Sequence, residues 1–231
     1  PYGCIEQTST STLVLLRLSK LLPMIAPNIS QEKLTDMVNK GIGRILSMQT
    51  VSGGFSFWPG SRRPREWATA YATLVLLEAR DAGYNVPGNS INAALSYLKS
   101  SGNKRMISYY VLARGGWLKP GSNTVQILEQ RIKKEKYSRL SKVWMAGALF
   151  ECGKKGVALE ALRKAVKLAP ENMRNLSGDF YSPLKDLAVT LYMLETVDPE
   201  MELVDTLYER IVTRLGEKRY WYFYTTQEIA W

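Results

Sequence analysis

The 231 residues predict an all-α protein built as an α/α toroid, in which an inner ring of helices is surrounded by an outer ring. Three observations support this class. Apolar residues recur at helical spacing along the chain, strand-type alternation is nearly absent, and apolar helices alternate with amphipathic ones about every 35–45 residues. A helix that is apolar on every side is buried on every side, so amphipathic helices around a layer of apolar ones favour a closed double ring.

The individual helices are placed by apolar periodicity and by the proline and glycine residues that end them, among them Pro23, Gly83, Pro120 and Gly153. Asp198-Pro199-Glu200 is typical of a helix start, with proline at the first helical position. The predicted helices span residues 5–22, 30–50, 66–83, 88–100, 105–115, 121–135, 138–152, 155–169, 183–196 and 200–215, and a last one begins near residue 225.

The alternation also predicts which side chains are buried. Inner helices such as 68–77 and 143–150 contain almost no charge, whereas outer helices carry Lys, Arg, Asp and Glu on one face. We expect seven inner-helix side chains to be buried: Tyr71, Leu74, Tyr110, Trp144, Phe150, Leu187 and Tyr192. We expect four outer-helix side chains to be exposed: Lys133, Arg163, Lys167 and Arg210.

The composition limits the chemistry that this chain can supply. It has no His, so it provides neither a Ser-His-Asp or Cys-His pair nor an imidazole zinc ligand. Its two cysteines, Cys4 and Cys152, cannot build a disulfide framework, and Cys152 is interpreted as an inert buried thiol in an inner helix. The net charge of +10 comes without a recognition motif, which indicates a solvated basic face. We expect no cofactor, no metal and no nucleic-acid partner.

The segment Gly3-Cys4-Ile5-Glu6-Gln7-Thr8 at the start of the first helix carries the candidate chemistry. Cys4 and Gln7 share one helical face, and a thiol beside a carboxamide can release ammonia and close into an internal thioester. A helix start favours the thiolate that this reaction needs, while Gly3 removes bulk and permits unusual backbone angles. Cys-x-x-Gln alone is explained as well by a buried cysteine and a capping glutamine, but the longer string is far more specific.

The segment around Cys4 and Gln7 resembles the signature of a known protein family. Pro1-Tyr2-Gly3-Cys4-Ile5-Glu6-Gln7-Thr8 is similar to the thioester signature of the alpha-2-macroglobulin and complement family, especially its bacterial members. Further similar segments are Gln49 with 53–60, 67–84, 110–114 and 225–231. The resemblance implies one toroid domain over residues 1–231 of a larger multidomain protein, with the ring incomplete at its C-terminal end. It implies that Cys4 and Gln7 form the thioester, with support from Gly3, Glu6, Trp58, Asn103 and Gln227.

The resemblance also implies a function, which is covalent trapping. A protease cuts a bait region elsewhere, the molecule rearranges, and the exposed thioester acylates the protease, so the domain is a single-use trap and not a turnover enzyme. Some members have a His that speeds transfer to hydroxyls, whereas the matching stretch 100–105 has Asn103 and no His, which points to Lys amines. The implied partners are target proteases and other domains of the parent chain. The implied location is the periplasm or cell envelope, with membrane contact only through a lipoprotein parent.

Two other classes remain open. In a helical-repeat interaction scaffold, Cys4 and Gln7 would be incidental. A toroid enzyme of the terpene cyclase type would use the aromatic loop 53–58, although the Asp-x-Asp-Asp acid of that class is absent from the sequence. Labelling with methylamine or a thiol reagent separates the covalent trap from both alternatives.

Overall fold

The computed structural model describes residues 3–19, 21, 24, 26–169, 181–216 and 231, and these residues form ten α-helices. The only strand-like pairing among them is an isolated antiparallel bridge between Gln49 and Phe55. The all-α class is therefore confirmed, while the helix expected near residue 225 lies outside the described residues. In chain order the helices are α1 Ile5–Leu18, α2 Gln31–Leu46, α3 Glu66–Asp81, α4 Gly88–Ser100, α5 Met106–Arg114, α6 Asn123–Arg131, α7 Arg139–Glu151, α8 Lys155–Val166, α9 Pro183–Val197 and α10 Leu203–Gly216.

Several helices end earlier than the sequence predicts because their last turns tighten. After α2, the amide of Met48 donates to the carbonyl of Ile45, and the chain then enters the bridge at Gln49. After α8, the amide of Leu168 donates to the carbonyl of Ala165. In each case the amide donates to the carbonyl three residues earlier. Such hydrogen bonds satisfy carbonyl groups at a helix end that have no partner inside the α-helix.

The backbone contacts divide the chain into two compact units, one ending at Lys104 and the other beginning at Arg105. In the first unit, α1 packs against α2 and α3, and α3 packs against α4. Every residue of the α3 segment 67–77 is buried, as expected for an inner helix, whereas α2 keeps a solvent-exposed face. In the second unit, α7 packs against α5, α8 and α9, and α9 packs against α10. The paired arrangement is thus confirmed within each unit, and the single ring over residues 1–231 stays a prediction.

The predicted burial is confirmed except at two aromatic residues. Phe150 and Tyr192 are half-buried, not buried. Phe150 lies next to the last residue of α7, where the Lys155 ammonium group is 5.6 Å from its ring centroid. The Tyr192 hydroxyl accepts a hydrogen bond from Arg114 Nη1 at 2.8 Å, which places the polar end of the ring beside a charged group. The confirmed buried residues are Tyr71, Leu74, Tyr110, Trp144 and Leu187, and the confirmed exposed ones are Lys133, Arg163, Lys167 and Arg210.

A buried ion pair connects the starts of α7 and α9 in the second unit. Arg139 Nε donates to Asp186 Oδ1 at 2.9 Å, and Tyr181 donates its hydroxyl to Asp186 Oδ2 at 3.0 Å. Burial raises the pKa of Asp186, and the neighbouring Arg139 cation opposes that rise. Removing either partner would leave the other charge buried without compensation, so the pair fixes the two helix starts together.

Candidate functional site

The motif Gly3–Thr8 forms the N-terminus of α1. Cys4 occupies the N-cap position with extended backbone angles, φ −69° and ψ 176°, and Thr8 donates its amide to the Cys4 carbonyl at 2.9 Å. Gln7 follows at the third helical position, and its Oε1 accepts a hydrogen bond from the Cys4 amide at 3.2 Å. Cys4 is half-buried and Gln7 is exposed. The carboxamide of Gln7 is therefore folded back onto the residue that carries the thiol, while the thioester itself stays a prediction.

Gly3 is held tightly in front of this pair. Its carbonyl accepts hydrogen bonds from Thr8 Oγ1 at 3.2 Å and from Arg44 Nη2 of α2 at 3.3 Å. A Cβ atom at residue 3 would lie 3.1 Å from Thr8 Oγ1 and 3.2 Å from Gln7 Cβ. Lack of bulk therefore explains the glycine. The freedom that glycine permits in the left-handed region is not used here, because the φ of Gly3 lies outside that region.

The acidic residue of the motif points into the first unit. Glu6 is 7% exposed, and its Oε1 accepts a hydrogen bond from Thr10 Oγ1 at 3.3 Å. The Thr10 hydroxyl is 3.1 Å from the hydroxyl of Tyr71 on α3. Burial raises the pKa of Tyr71, so this phenol keeps its proton. Glu6 thus belongs to a polar chain between α1 and α3, which holds the orientation of α1.

The aromatic loop contacts the motif through its backbone. The carbonyl of Phe57 accepts a hydrogen bond from the Ile5 amide at 3.0 Å, which satisfies one of the free N–H groups at the start of α1. Two buried contacts hold the loop: Phe55 donates its amide to Thr69 Oγ1 at 2.8 Å, and Ser56 donates its hydroxyl to the Met48 carbonyl at 3.1 Å. Trp58, one of the expected supporting residues, is 52% exposed.

Gln49 keeps the same loop in shape. Its Nε2 donates to the carbonyl of Gly53 at 2.8 Å and to the carbonyl of Ser90 on α4 at 2.8 Å. Gly53 has a φ of 86°, and a Cβ atom there would collide with the Ala93 carbonyl. Only glycine fits this combination of conformation and close approach. The sequence marked Gln49 and the loop through the family resemblance but gave no sign that the Phe57 carbonyl would be the contact with α1.

The other candidate residues lie elsewhere. Asn103 is exposed in the loop between α4 and α5, and Gln227 lies outside the described residues. Cys152 is the C-cap of α7 and not a residue within that helix. Its side chain is buried, its Sγ donates to the Leu118 carbonyl at 3.6 Å, and burial raises the pKa of the thiol.

A cleft of about 620 Å³ opens between α1 and α2 beside the motif. Its walls include Gly3, Gln7, Leu15, Met37, Lys40 and Arg44, so one wall carries two cations. Sequence reasoning missed this cleft. The available signal was the spacing of Lys40 and Arg44, which puts both on one face of the amphipathic helix α2.

Two features are absent from the part of the chain that the structure describes. No group of three His, Cys, Asp or Glu side chains among the described residues comes together in a way that could hold a metal ion. None of the described helices combines the length and the apolar character that crossing a membrane requires.

The chain is similar in sequence and in fold to several known proteins. Residues 1–107 match the family model of the A-macroglobulin TED domain. The alpha-2-macroglobulin of Escherichia coli strain K12 is 30% identical over 238 residues, which cover 90% of this chain. A solved structure of Salmonella alpha-2-macroglobulin reacted with methylamine superposes on 100% of this chain with a TM-score of 0.82 and 28% identity. The structure of E. coli alpha-2-macroglobulin activated by porcine elastase does so with a TM-score of 0.79 and 28% identity.

These relatives are much longer than the chain described here. It spans 14% of the E. coli K12 protein. It also spans 16% of the Salmonella chain and 22% of the elastase-activated chain. The similarity therefore concerns one helical region of large proteins, and it extends over the whole of this chain.

Proposed function

This chain belongs to the A-macroglobulin thioester-domain family, and we propose that its Cys4–Gln7 pair forms an internal thioester with which a larger bacterial inhibitor captures attacking proteases. The contact between the Cys4 amide and Gln7 Oε1 at 3.2 Å carries the proposal, because it holds the carboxamide at the residue whose thiol must attack it. The positive end of the α1 dipole at Cys4 favours a developing negative charge there.

The bond forms without a co-reactant. The Cys4 thiol loses its proton and the thiolate attacks Gln7 Cδ. The C–N bond of the carboxamide breaks, and nitrogen leaves as ammonia with the proton that the thiol lost. The product is an acyl group held by sulfur, with the residues between Cys4 and Gln7 inside the ring. Gly3 leaves room beside Gln7 for this closure, since a side chain there would press against Gln7 Cβ.

Capture uses the bond once. A neutral amine of the protease attacks Gln7 Cδ, the C–S bond breaks, and its electron pair leaves with sulfur, which takes up the proton lost by the amine. Gln7 is then joined to the protease through an amide, and Cys4 is a free thiol. Capture consumes the C–S bond of the thioester, so each domain acts once, as a trap and not as a turnover catalyst.

The favoured acceptor is a Lys ε-amine. This chain supplies no imidazole, which would be the base that activates a hydroxyl. Direct attack then favours the stronger neutral nucleophile, which is the amine. In the full-length protein we place the trigger in a protease-cleaved bait region outside these residues, and the location in the periplasm or cell envelope.

Intact mass spectrometry of the full-length protein tests the proposal. We expect the measured mass of the untreated protein to be one ammonia below the mass calculated from its sequence. Methylamine should add one equivalent and free one thiol. Cys4→Ala and Gln7→Ala should abolish both effects, and Cys152→Ala is the matched control that should keep them. An unlabelled protein with the full sequence mass would favour the interaction scaffold or the toroid enzyme.

A competition experiment tests the acceptor. The full-length protein is activated by a protease in the presence of methylamine and glycerol at equal concentrations, and the adducts on Gln7 are weighed. We expect the methylamide to dominate. A dominant glycerol ester would show that a base activates hydroxyls and would contradict the preference for amines.

A further inference from the structure

We propose that Arg44 is the positioning residue of the thioester site, holding the Gly3–Cys4 peptide so that the thiol meets Gln7. This inference rests on the proposed function and adds a residue outside the motif to its machinery. Arg44 lies on α2, and its Nη2 reaches the Gly3 carbonyl of the neighbouring element at 3.3 Å. Because the Gly3 carbonyl and the Cys4 amide belong to the same rigid peptide plane, a hydrogen bond to one fixes the direction of the other.

Both ends of that peptide plane are held. The Gly3 carbonyl accepts from Arg44 Nη2 and from Thr8 Oγ1, while the Cys4 amide donates to Gln7 Oε1. Thr8 belongs to the first turn of α1 itself, so its bond moves with the motif. Among the bonds to this peptide, the one from Arg44 comes from a different helix and ties the peptide to α2.

Arg44 is placed for this contact at a cost to its own solvation. Its side chain is half-buried at the wall of the cleft that Gln7 also lines, and its Nε is buried without a hydrogen-bond partner. A surface arginine that served only solubility would keep its whole guanidinium group in water. The orphan N–H therefore indicates that α2 delivers the guanidinium group to Gly3 and the cleft.

Lys40 is a second cation on the same wall of the cleft, and its ammonium group pairs with Asp36 at 2.6 Å. It lies one turn earlier on α2, and its side chain is 75% exposed. The two residues carry the same charge at the same cleft, and they differ in the bond to Gly3. Lys40→Gln is therefore a matched control for Arg44→Gln.

The test measures closure and opening of the thioester in the full-length protein. For Arg44→Gln we expect the fraction of molecules lacking one ammonia to fall at least about tenfold, because a misplaced reacting group slows closure. In the molecules that still close, the rate of the reaction with methylamine should change by a smaller factor than the closed fraction does. Arg44→Lys keeps one donor and the charge and should recover part of the closure, and Lys40→Gln should close like the wild type.

The outcomes separate this inference from the proposed function. If the wild type never closes, the proposed function itself fails. If the wild type closes and Arg44→Gln closes equally well, Arg44 is not the positioning residue. Equal losses in Arg44→Gln and Lys40→Gln would assign the effect to positive charge in the cleft and also overturn the inference. Thermal melting of each variant identifies a loss that comes from unfolding, and Arg44→Lys then decides the question in a folded protein.

Discussion

The two cysteines of this chain lie at opposite ends of helices, in different units of the molecule. Cys4 is the N-cap of α1, half-buried, with the Gln7 carboxamide bonded to its own amide. Cys152 is the C-cap of α7, 2% exposed, with its Sγ directed to the Leu118 carbonyl. The helix dipole favours negative charge at a helix N-terminus, where Cys4 lies, and disfavours it at a C-terminus, where Cys152 lies. The same side chain is therefore a candidate nucleophile at one end of a helix and a packing group at the other.

The largest expected difference is in the rate of alkylation. After methylamine has opened the thioester, iodoacetamide should modify Cys4 at least about 100-fold faster than Cys152, because Cys152 reacts only after local opening of the second unit. Peptide mapping over time measures both rates in one sample. Comparable rates would contradict the difference in accessibility between Cys4 and Cys152. Denatured protein, in which both thiols react alike, is the control.

Disturbing the packing of α1 against α2 should affect the chemistry of Cys4 and leave that of Cys152 unchanged. A Cβ atom at Gly41 would collide with Thr12 Oγ1, so Gly41→Ala should lower the free energy of unfolding by about 1–3 kcal/mol. It should also displace Arg44 from Gly3 and reduce thioester closure, while the alkylation of Cys152 stays unchanged. Urea unfolding and intact mass measure the two effects.

Gly43 provides the matched control for that substitution. It lies on the same helix and is exposed, and a Cβ atom there meets nothing within 4 Å. Gly43→Ala should therefore stabilise the protein by about 0.5–1 kcal/mol and leave closure intact. Equal destabilisation by both variants would show that the tight contact at Thr12 is not the cause.

Removing each thiol should affect stability in the reverse order of reactivity. Cys152→Ala deletes a buried group and should cost about 1 kcal/mol, whereas Cys4→Ala should stay within about 0.5 kcal/mol of the opened wild type. Chemical denaturation after methylamine treatment measures both changes. A larger loss at Cys4 would mean that its side chain is a packing group after all.

The smallest expected effect is on pH dependence. Burial raises the pKa of Cys152 in the folded protein, so the fold favours the neutral thiol. Its contribution to stability is complete below the ordinary thiol pKa of about 8.5 and is lost as the pH rises through the folded value. In a Cys4→Ala background, the stability lost on adding Cys152→Ala should therefore shrink between pH 7 and pH 10. A difference that is constant or grows with pH would contradict this assignment.

The sequence predicted the helical skeleton well because its signals are local. Apolar runs such as 68–77 identified inner helices. The helix starts predicted near residues 30 and 183 are confirmed where Ser30 and Ser182 accept the Lys33 and Lys185 amides. Helix ends were predicted less well, since the tightened turn after α2 depends on the bridge between Gln49 and Phe55. The sequence also gave no sign of the buried pair of Arg139 and Asp186, because these charged residues lie on different helices and bury each other only through packing.

By itself the sequence predicted the helices and the alternation of buried and half-exposed ones, because both depend on residue spacing within one helix. It also marked Cys4 and Gln7 as the candidate thioester pair, through the string from Gly3 to Thr8. Only the tertiary structure decided that the Phe57 carbonyl and Arg44 hold that motif, and that a cleft opens beside Gln7. These contacts join residues about 40 to 50 positions apart, and no local periodicity records which side chain of one helix meets the start of another. Distance along the chain sets the limit, because contacts between elements depend on how those elements pack.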